Sequence, residues 1–452
     1  MVWRETLGAC TVLRMSFLGR LERLKAKQGA AGAPIAPTAP LTTPLVTEEP
    51  PLSPSADALS SAPPRDAVLD DLRERMQRML RKEAPRESPK VSVTLPFEHE
   101  ERSEGTLHVL RERVSPGHKV GRISTVDARF AAAELLSVLA LDPSLAACRP
   151  EGALFLDTET TGLSHGAGTV AFLVGLAYFQ GGTLVLEQLF LQGLGDEAPM
   201  LARLRELMAQ ASMLVTFNGK AFDLPLLRTR YRMAKEEPPV EPPHLDLLHV
   251  ARRVHAFGRP GRRALRLVHL EEDVLGFVRH DDVASADVAA CYLHYLRTGD
   301  VGLLGSVVSH NAWDVYTMAA LMGLYGEPLT GRSLSADDLI GVAHTMYRAG
   351  DAQGAVSTAS MALEAGAAPT ALFVRAQAAR RLGDAQAALS DLELLIDKVE
   401  DPKARLELAK LYEHHVKDPM KALGALDSGS TAEKPEAADR RRTRLRRKAR
   451  LS

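Results

Sequence analysis

The spacing of apolar and polar positions changes character several times along the chain. Short apolar runs bounded by polar or glycine-containing turns predict five β-strands. These runs are Ala153–Leu156, Ala171–Tyr178, Thr183–Leu191, Met213–Phe217 and a short segment near Leu245. Helical periodicity over Ala198–Gln210 and Phe222–Met233 lies between the later runs. The pattern predicts an α/β domain, residues 151–330, with one mixed five-stranded sheet flanked by helices.

The residues before this domain show two other patterns. Residues 29–65 are rich in Ala, Pro, Ser and Thr, a composition that cannot bury enough apolar surface to fold. Residues 1–65 are therefore expected to be a disordered segment with a short amphipathic helix at 16–27. Residues 66–150 begin with a helical stripe over Asp66–Glu83 and predict a lead-in helix and small subdomain.

The C-terminal third is alanine-rich and repeats itself. The dipeptide Gly350-Asp351 recurs 33 residues later as Gly383-Asp384, and a weaker copy stands at Lys417-Asp418. A period of this length is typical of helix-turn-helix units and resembles tetratricopeptide repeats, so residues 335–430 are predicted to form an all-α repeat domain. Such a domain either contacts a protein partner or packs against the α/β domain. Residues 431–452 end in a segment with eight basic residues among positions 440–450, expected to be disordered and to attract nucleic acid or acidic partners.

Composition excludes several classes of protein but does not indicate a particular reaction. The net charge is −1 with a pI near 6.9, so any contact with a polyanion must be local. Cys10, Cys148 and Cys291 have no C-x-x-C spacing, which argues against a disulfide framework or a zinc site and fits a reducing compartment. No apolar run approaches the roughly 18 residues of a membrane span, and no export signal is evident. A cytoplasmic protein is expected.

The first candidate site follows the strand Ala153–Leu156. Asp157 and Glu159 are two residues apart, so on an extended chain both carboxylates project to the same side. Two neighbouring anions take up protons unless a cation lies between them, and oxygen ligands favour a hard ion such as Mg²⁺ or Mn²⁺. An isolated D-x-E pair is nevertheless far more often an exposed acidic pair than a metal site.

Two later segments carry further acidic candidates. Asn218 and Asp223 follow the strand Met213–Phe217, where sites are built in open α/β sheets, although Asp223 is equally consistent with a helix N-cap. His310 and Asp314 are four residues apart in a predicted helix and so share one face, where an imidazole can accept a proton from water. Without context, this pair is more often a helix-start histidine beside a solvated aspartate.

Taken together, the three segments resemble a known family. D-x-E at a strand end, then N-x4-D, then H-x3-D on a helix is similar to the exonuclease (DEDD) branch of the ribonuclease H-like superfamily. The segments GTVAFLVGL, TFNGKAFDLPLL, HLDLLHVARR and SHNAWD look most like its YprB-like family, over about residues 95–325.

The resemblance implies roles for individual residues. Asp157, Glu159, Asp223 and Asp314 would hold two divalent cations, Mg²⁺ or Mn²⁺, and His310 would orient or deprotonate the attacking water. In the family a histidine base is spaced H-x4-D and a tyrosine base Y-x3-D, whereas this chain has histidine at the tyrosine spacing.

Residues that contact nucleic acid are also implied. Gly162 and Leu163 resemble the family's wedge beside the terminal nucleotide, and Asn218 is a second contact candidate. Six arginines and no acidic residue lie between Leu247 and Leu270, an arrangement equally consistent with a solvated helix face and a backbone-binding flank. These arginines are Arg252, Arg253, Arg259, Arg262, Arg263 and Arg266. His165, His249 and the pair His244/Asp246 are expected to be loop, core or supporting residues, not ligands.

The function expected from sequence is a metal-dependent 3′-5′ exonuclease that hydrolyses DNA or RNA by a two-metal mechanism. One alternative is an adaptor protein that binds nucleic acid through the same fold without cleaving it. The other is a structure-selective endonuclease.

Overall fold

The structure, a computed structural model, describes residues 95–162, 168–258, 265–280, 282–329 and 333–450, and all of these lie in the compact unit Lys82–Ser452. The predicted disordered segment 1–65 and the predicted helix Asp66–Glu83 are outside the described residues. None of the helices in the described ranges is long and apolar enough to cross a membrane.

A seven-stranded mixed sheet is the centre of the domain. The strands of the described residues are β1 (Glu98–Arg102), β2 (Gly105–Arg113), β3 (Lys119–Val120), β4 (Ile123–Ser124), β5 (Ala153–Thr160), β6 (Ala171–Gln180), β7 (Thr183–Phe190), β8 (Met213–Thr216) and β9 (His244–Asp246). The sheet order is β1-β2-β7-β6-β5-β8-β9, while β3 and β4 form a separate pair. β8 runs parallel to both β5 and β9, and the remaining neighbours are antiparallel.

The mixed α/β sheet expected from the sequence is confirmed, with two more strands than the five predicted. β1 and β2 come from the stretch 66–150, and β2 pairs with β7. Leu107 and Val109 are buried at alternate positions of β2. The hairpin therefore contributes its apolar face to the core beneath the central sheet.

The helices surround the sheet and then continue as a separate helical region. Those of the described residues are α1 (Ala133–Ala140), α2 (Ala198–Gln210), α3 (Asp223–Met233), α4 (Leu247–His255), α5 (Leu267–Leu270), α6 (Val288–Thr298), α7 (Leu304–Gly326), α8 (Ala336–Ala349), α9 (Ala352–Glu364), α10 (Thr370–Arg381), α11 (Ala385–Lys398), α12 (Pro402–Leu411), α13 (Pro419–Asp427) and α14 (Pro435–Ala449). Short 3₁₀ turns cover Thr125–Phe130, Pro143–Ala147 and Pro150–Gly152, and π turns cover Glu271–Leu275 and Tyr412–Val416.

Strand β5 is buried on both faces, which explains its uninterrupted apolar start. Phe155 belongs to a hydrophobic core on one side of the sheet, while Leu154 and Leu156 belong to the core on the other side. All three are essentially inaccessible to solvent. The strand is therefore fixed in register by both cores, and its polar C-terminal half is held where the sheet ends.

The repeated Gly-Asp dipeptides correspond to a repeated local structure. Gly350 and Gly383 end their helices in the left-handed conformation, with φ of 95° and 89°. The following aspartates cap the next helix, since Asp351 accepts the N–H of Gly354 at 2.7 Å and Asp384 that of Ala387 at 2.9 Å. Lys417, at φ 62°, and Asp418, which accepts Lys421 N–H at 2.9 Å, repeat this geometry. The C-terminal region is thus a helical array, as the period predicted.

Helix α8 joins this array to the sheet domain. It packs on α4 so closely that a Cβ at Gly341 would lie 2.3 Å from the carbonyl oxygen of Val254. The buried His255 bridges the two parts, with Nδ1 3.1 Å from Asp338 and Nε2 3.0 Å from the Tyr325 hydroxyl. The array and the sheet domain therefore share a packed junction.

Residues 435–449, expected to be disordered, form helix α14. Leu445 on this helix is fully buried in the core of the array, and Arg441, Arg444 and Lys448 contact the carboxylate of Glu413. The positive charges that predicted disorder are thus partly neutralised by Glu413, which lies in another helical segment. The sequence of residues 431–452 alone does not reveal this acidic partner.

Candidate metal and catalytic site

The end of β5 and one face of α7 bring three candidate residues together. Glu159, His310 and Asp314 each offer a ligand atom, and these atoms lie within 4.8 Å of one another. His310 Nε2 is 3.7 Å from Asp314 Oδ2 and 3.9 Å from Glu159 Oε1. Because His310 and Asp314 are one turn apart on α7, the H-x3-D spacing places imidazole and carboxylate side by side.

Asp157 is fixed by a buried amide that the sequence reasoning missed. Asn311 Nδ2 donates to Asp157 Oδ2 at 2.9 Å, and Asn311 Oδ1 accepts from Gln188 Nε2 at 2.9 Å. This chain of hydrogen bonds fits against Gly175, where a Cβ would lie 2.2 Å from Asn311 Oδ1. The glycine within strand β6 therefore makes room for the amide that orients Asp157. The only sequence signal was an apolar strand interrupted by glycine.

Asp223 is a member of the acidic cluster and not a helix N-cap. It is the first residue of α3, whose N-cap is Phe222. Its Oδ1 accepts a hydrogen bond of 2.5 Å from the hydroxyl of Thr158, which lies between Asp157 and Glu159 on β5. β5 and α3 are thus tied together at the point where the carboxylates meet.

The turn before α3 is shaped by Asp246. Asp246 accepts the backbone N–H groups of Asn218 and Lys220 at 2.8 and 3.1 Å, as well as that of Leu248 at 3.1 Å. Asn218 adopts a left-handed conformation with φ 70°. Asp246 therefore supports the turn that delivers Asp223. His244 Nε2 is hydrogen-bonded to the Thr216 hydroxyl at 2.8 Å, which gives it a similar supporting position.

Burial, together with neighbouring negative charges, raises the pKa values of three of the carboxylates. Burial raises the pKa of Glu159 to about 7, with further increases from the charges of Asp314 and Asp223. Burial raises the pKa of Asp223 to about 6. The pKa of Asp157 lies well above its usual range because of burial and the charges of Asp314, Glu159 and Asp223. The four carboxylates therefore form one electrostatic cluster.

This donor set fits a hard divalent cation. Burial and mutual repulsion both disfavour the charged form of Asp157, Glu159 and Asp223, and a bound cation would offset both effects. Oxygen-rich sites of this kind suit Mg²⁺ or Mn²⁺, with the imidazole of His310 as a further donor. Asp157, Glu159, Asp223 and Asp314 are the residues that would hold such ions.

The side of His310 away from this cluster faces Asp282. Asp282 Oδ1 is 2.8 Å from His310 Nδ1, and therefore Nε2 is the ring nitrogen that faces Glu159 and Asp314. Burial alone would lower the pKa of His310, but the carboxylates of Asp314, Glu159 and Asp282 outweigh it and the pKa is raised. An imidazole with one nitrogen fixed by a carboxylate has a defined tautomer and orientation.

Arg279 is a second residue that sequence reasoning missed. Its guanidinium contacts Asp314 and forms a bidentate pair with the buried Glu271 at 2.6 and 2.7 Å. Glu271 in turn accepts from the Thr317 hydroxyl at 2.5 Å. Arg279 also lies 3.2 Å from Asp282 and 3.4 Å from His310 Nδ1. Asp314 and the imidazole are thus positioned by one buried arginine.

The structure describes only some of the residues predicted to contact nucleic acid. Gly162 lies at the end of β5, where its carbonyl accepts from the Thr160 hydroxyl at 2.8 Å. Leu163, His165, Arg259, Arg262 and Arg263 are outside the described residues. Arg252 is exposed on α4.

Arg253 is bound within the protein. Its guanidinium donates to the carbonyl of Leu139 at 3.0 Å, and burial lowers the pKa of Arg253. Helix α4 packs on α8 and α1. This hydrogen bond connects α4 to α1, and the contact of Arg253 with nucleic acid stays a prediction.

Comparison with known proteins identifies the central domain. Residues 154–325 match the RNase_H superfamily. The sheet domain is ribonuclease H-like. It is also similar to the uncharacterized protein YprB of Bacillus subtilis (strain 168), with 35% identity over 173 residues. The match spans 37% of this chain and 40% of the relative, so the two proteins are compared over less than half of each.

The fold and the cluster agree on a class of chemistry. The ribonuclease H-like domain carries an acidic cluster whose oxygen donors have the composition of a divalent-metal site.

Proposed function

We propose that the protein is a metal-dependent nuclease that removes nucleotides from the 3′ end of DNA or RNA. The observation that carries the proposal is the cluster of Asp157, Glu159, Asp223 and Asp314 with the imidazole of His310 beside it. The order of these residues along the chain, which resembles the exonuclease branch of the superfamily, supports the 3′-to-5′ direction.

The carboxylates and the histidine have separate tasks in this proposal. Two divalent cations held by the four carboxylates would stabilise the attacking and leaving oxygens of an in-line phosphodiester cleavage. His310 accepts the proton of the attacking water at Nε2, while Asp282 retains the hydrogen at Nδ1. Arg279 holds Asp314 against the imidazole, and Asn311 orients Asp157. Each supporting residue therefore fixes one reacting side chain.

A labelled-oligonucleotide assay tests this function. A single strand carrying its label at the 5′ end is expected to shorten as a ladder from the 3′ end when Mg²⁺ or Mn²⁺ is present. Matched DNA and RNA strands measure the sugar preference, and a strand with a blocked 3′ end serves as the control. Internal cuts in the blocked strand would identify an endonuclease, and binding without any cleavage would identify an adaptor. Either outcome contradicts the proposal.

Divalent cations are expected to stabilise the protein more at pH 8 than at pH 6. The pKa values of Glu159 and Asp223, about 7 and 6, lie above the roughly 4 of an unfolded chain. The folded protein without cations therefore binds more protons than the unfolded chain, and this cluster lowers the free energy of unfolding as pH rises from about 4 to 7. Cations compete with those protons, so their stabilising effect grows over the same interval.

Thermal unfolding with Mn²⁺ and with EDTA at the two pH values measures this difference. Asp314→Asn is expected to reduce the Mn²⁺-dependent increase in Tm at pH 8. An increase of equal size at both pH values would show that the cation binds away from the titrating carboxylates.

A further inference from the structure

Helix α14 presents two different faces. Ala438 and Leu445 are buried on the inner face, and Leu445 lies in the core of the helical array. The helix contacts α13 along this side. The position of α14 is therefore fixed by apolar packing and does not depend on its charges.

The basic residues on the inner side are paired within the protein. Arg444 and Lys448 donate to Glu413 Oε1 at 2.8 and 2.9 Å, and Arg441 donates to Glu413 Oε2 at 3.2 Å. The carboxylate of Glu413 is inaccessible to solvent, and the hydrogen bond from Arg444 leads the interactions that lower its pKa to about 2. Arg442 pairs with Asp427 at 3.1 Å. These contacts add to the apolar packing of the inner face.

The outer side has a second set of arginines. Arg440, Arg446, Arg447 and Arg450 are exposed, and none of them forms an ion pair with any described residue. At about 100° per residue they fall within one arc opposite Leu445. This outer basic face, defined as these four arginines, covers about 15 Å of helix. Thr443 lies between them, and the exposed Glu436 and Asp439 continue the same arc toward the start of the helix, so the face has no apolar anchor.

Interactions within α14 do not account for this face. Cations in the last turn are favoured by the helix dipole, but Arg440 lies in the middle of the helix. Arg446 and Arg450 are four residues apart, and like charges at that spacing destabilise a helix. An external anion would relieve that repulsion.

We propose that the outer basic face binds the phosphodiester backbone of the polynucleotide substrate. The choice of polynucleotide rests on the proposed nuclease function. A surface of arginines without an exposed apolar side chain suits a row of phosphates better than a protein interface, which needs buried anchors. Since α14 is packed on the array and the array on the sheet domain, this face is held in a fixed position relative to the sheet domain.

The test is a binding measurement on the full chain with cations removed by EDTA, so that it does not depend on cleavage. The probe is a fluorescein-labelled 20-nucleotide single strand, and anisotropy gives the Kd at several salt concentrations. The quadruple variant Arg440→Gln, Arg446→Gln, Arg447→Gln and Arg450→Gln is expected to raise the Kd at least about tenfold. Its slope of log K against log salt should be smaller by about 3, because each lost phosphate contact removes about 0.7.

A matched variant controls for net charge. Arg113→Gln, Arg232→Gln, Lys235→Gln and Arg297→Gln remove four exposed cations from the sheet domain and are expected to leave the Kd within about twofold. Equal weakening by both variants, or no change from the α14 variant, would overturn the proposal. Equally tight binding of a polyglutamate of the same length would identify an acidic protein as the partner instead. A Tm of the quadruple variant equal to that of the wild type shows that the variant still folds. Failure of the nuclease proposal would appear separately, as absence of cleavage by the wild-type protein.

Discussion

Asp157→Asn is expected to lower the rate of phosphodiester cleavage by about three orders of magnitude or more. Burial and the charges of Asp314, Glu159 and Asp223 raise the pKa of Asp157, so this carboxylate lies within reach of the other three. Asparagine has nearly the same shape and retains an oxygen that can accept the hydrogen bond from Asn311. The substitution therefore removes the charge while preserving the packing. Initial cleavage rates of the labelled strand at saturating Mn²⁺ measure the effect.

The same substitution is expected to stabilise the protein when cations are absent. It removes one of four mutually repelling anions, so Tm in EDTA at pH 8 should rise by a few degrees, while the increase caused by Mn²⁺ should shrink. This opposite movement of activity and stability separates a metal carboxylate from a structural one.

Asp397→Asn is the matched control, since Asp397 is exposed on α11, and it should change neither quantity. Cleavage within tenfold of wild type in Asp157→Asn would place the metal site elsewhere.

The elements that carry the carboxylates could be predicted because local pattern determines them. Ala153–Leu156 is apolar on both faces, as a central strand requires, and polar residues follow where it leaves the core. Helix Ala198–Gln210 was predicted with the bounds it has. In each case the information lies within the ten or so residues that form the element.

The residues that position the site could not be predicted in this way. Asp282 is 28 residues before His310 in the chain and lies in an irregular segment, so no periodicity relates the two. Arg279 follows a π turn, and its partner Glu271 is recognisable only once that turn is folded. Asn311 lies next to His310, but its role depends on the space left by Gly175 on another strand. These contacts come from tertiary packing.

The same limit explains the two regions where the expected boundaries differ from the structure. The hairpin β1–β2 lies in residues 66–150, which were expected to form a lead-in subdomain, but β2 pairs with β7 of the central sheet. Helix α14 has the composition of a disordered tail, but Glu413 and the core around Leu445 lie in other helices. In both regions, the segment is completed by a partner that its own sequence does not reveal.

His310→Ala is expected to lower the cleavage rate by about 10²- to 10⁴-fold, the usual contribution of a general base. The imidazole of His310 can accept a proton at Nε2, which faces the carboxylate cluster. Its other ring nitrogen, Nδ1, is held by the carboxylate of Asp282. This geometry gives a histidine at the H-x3-D spacing the position that a base requires. Stopped-time assays on the labelled strand at saturating Mn²⁺ measure the loss.

Asp282→Asn distinguishes a base from a merely structural histidine. The carboxylate of Asp282 contributes to the raised pKa of His310, so its removal should lower that pKa. If His310 must be neutral to act, the acid limb of the pH profile of kcat/KM should move to lower pH, while the plateau rate falls by about 10- to 100-fold because the ring is less well oriented. A structural histidine would give the lower plateau without the displaced limb. Asp300→Asn, which removes the surface pair between Asp300 and His294, is the matched control and should leave the profile unchanged.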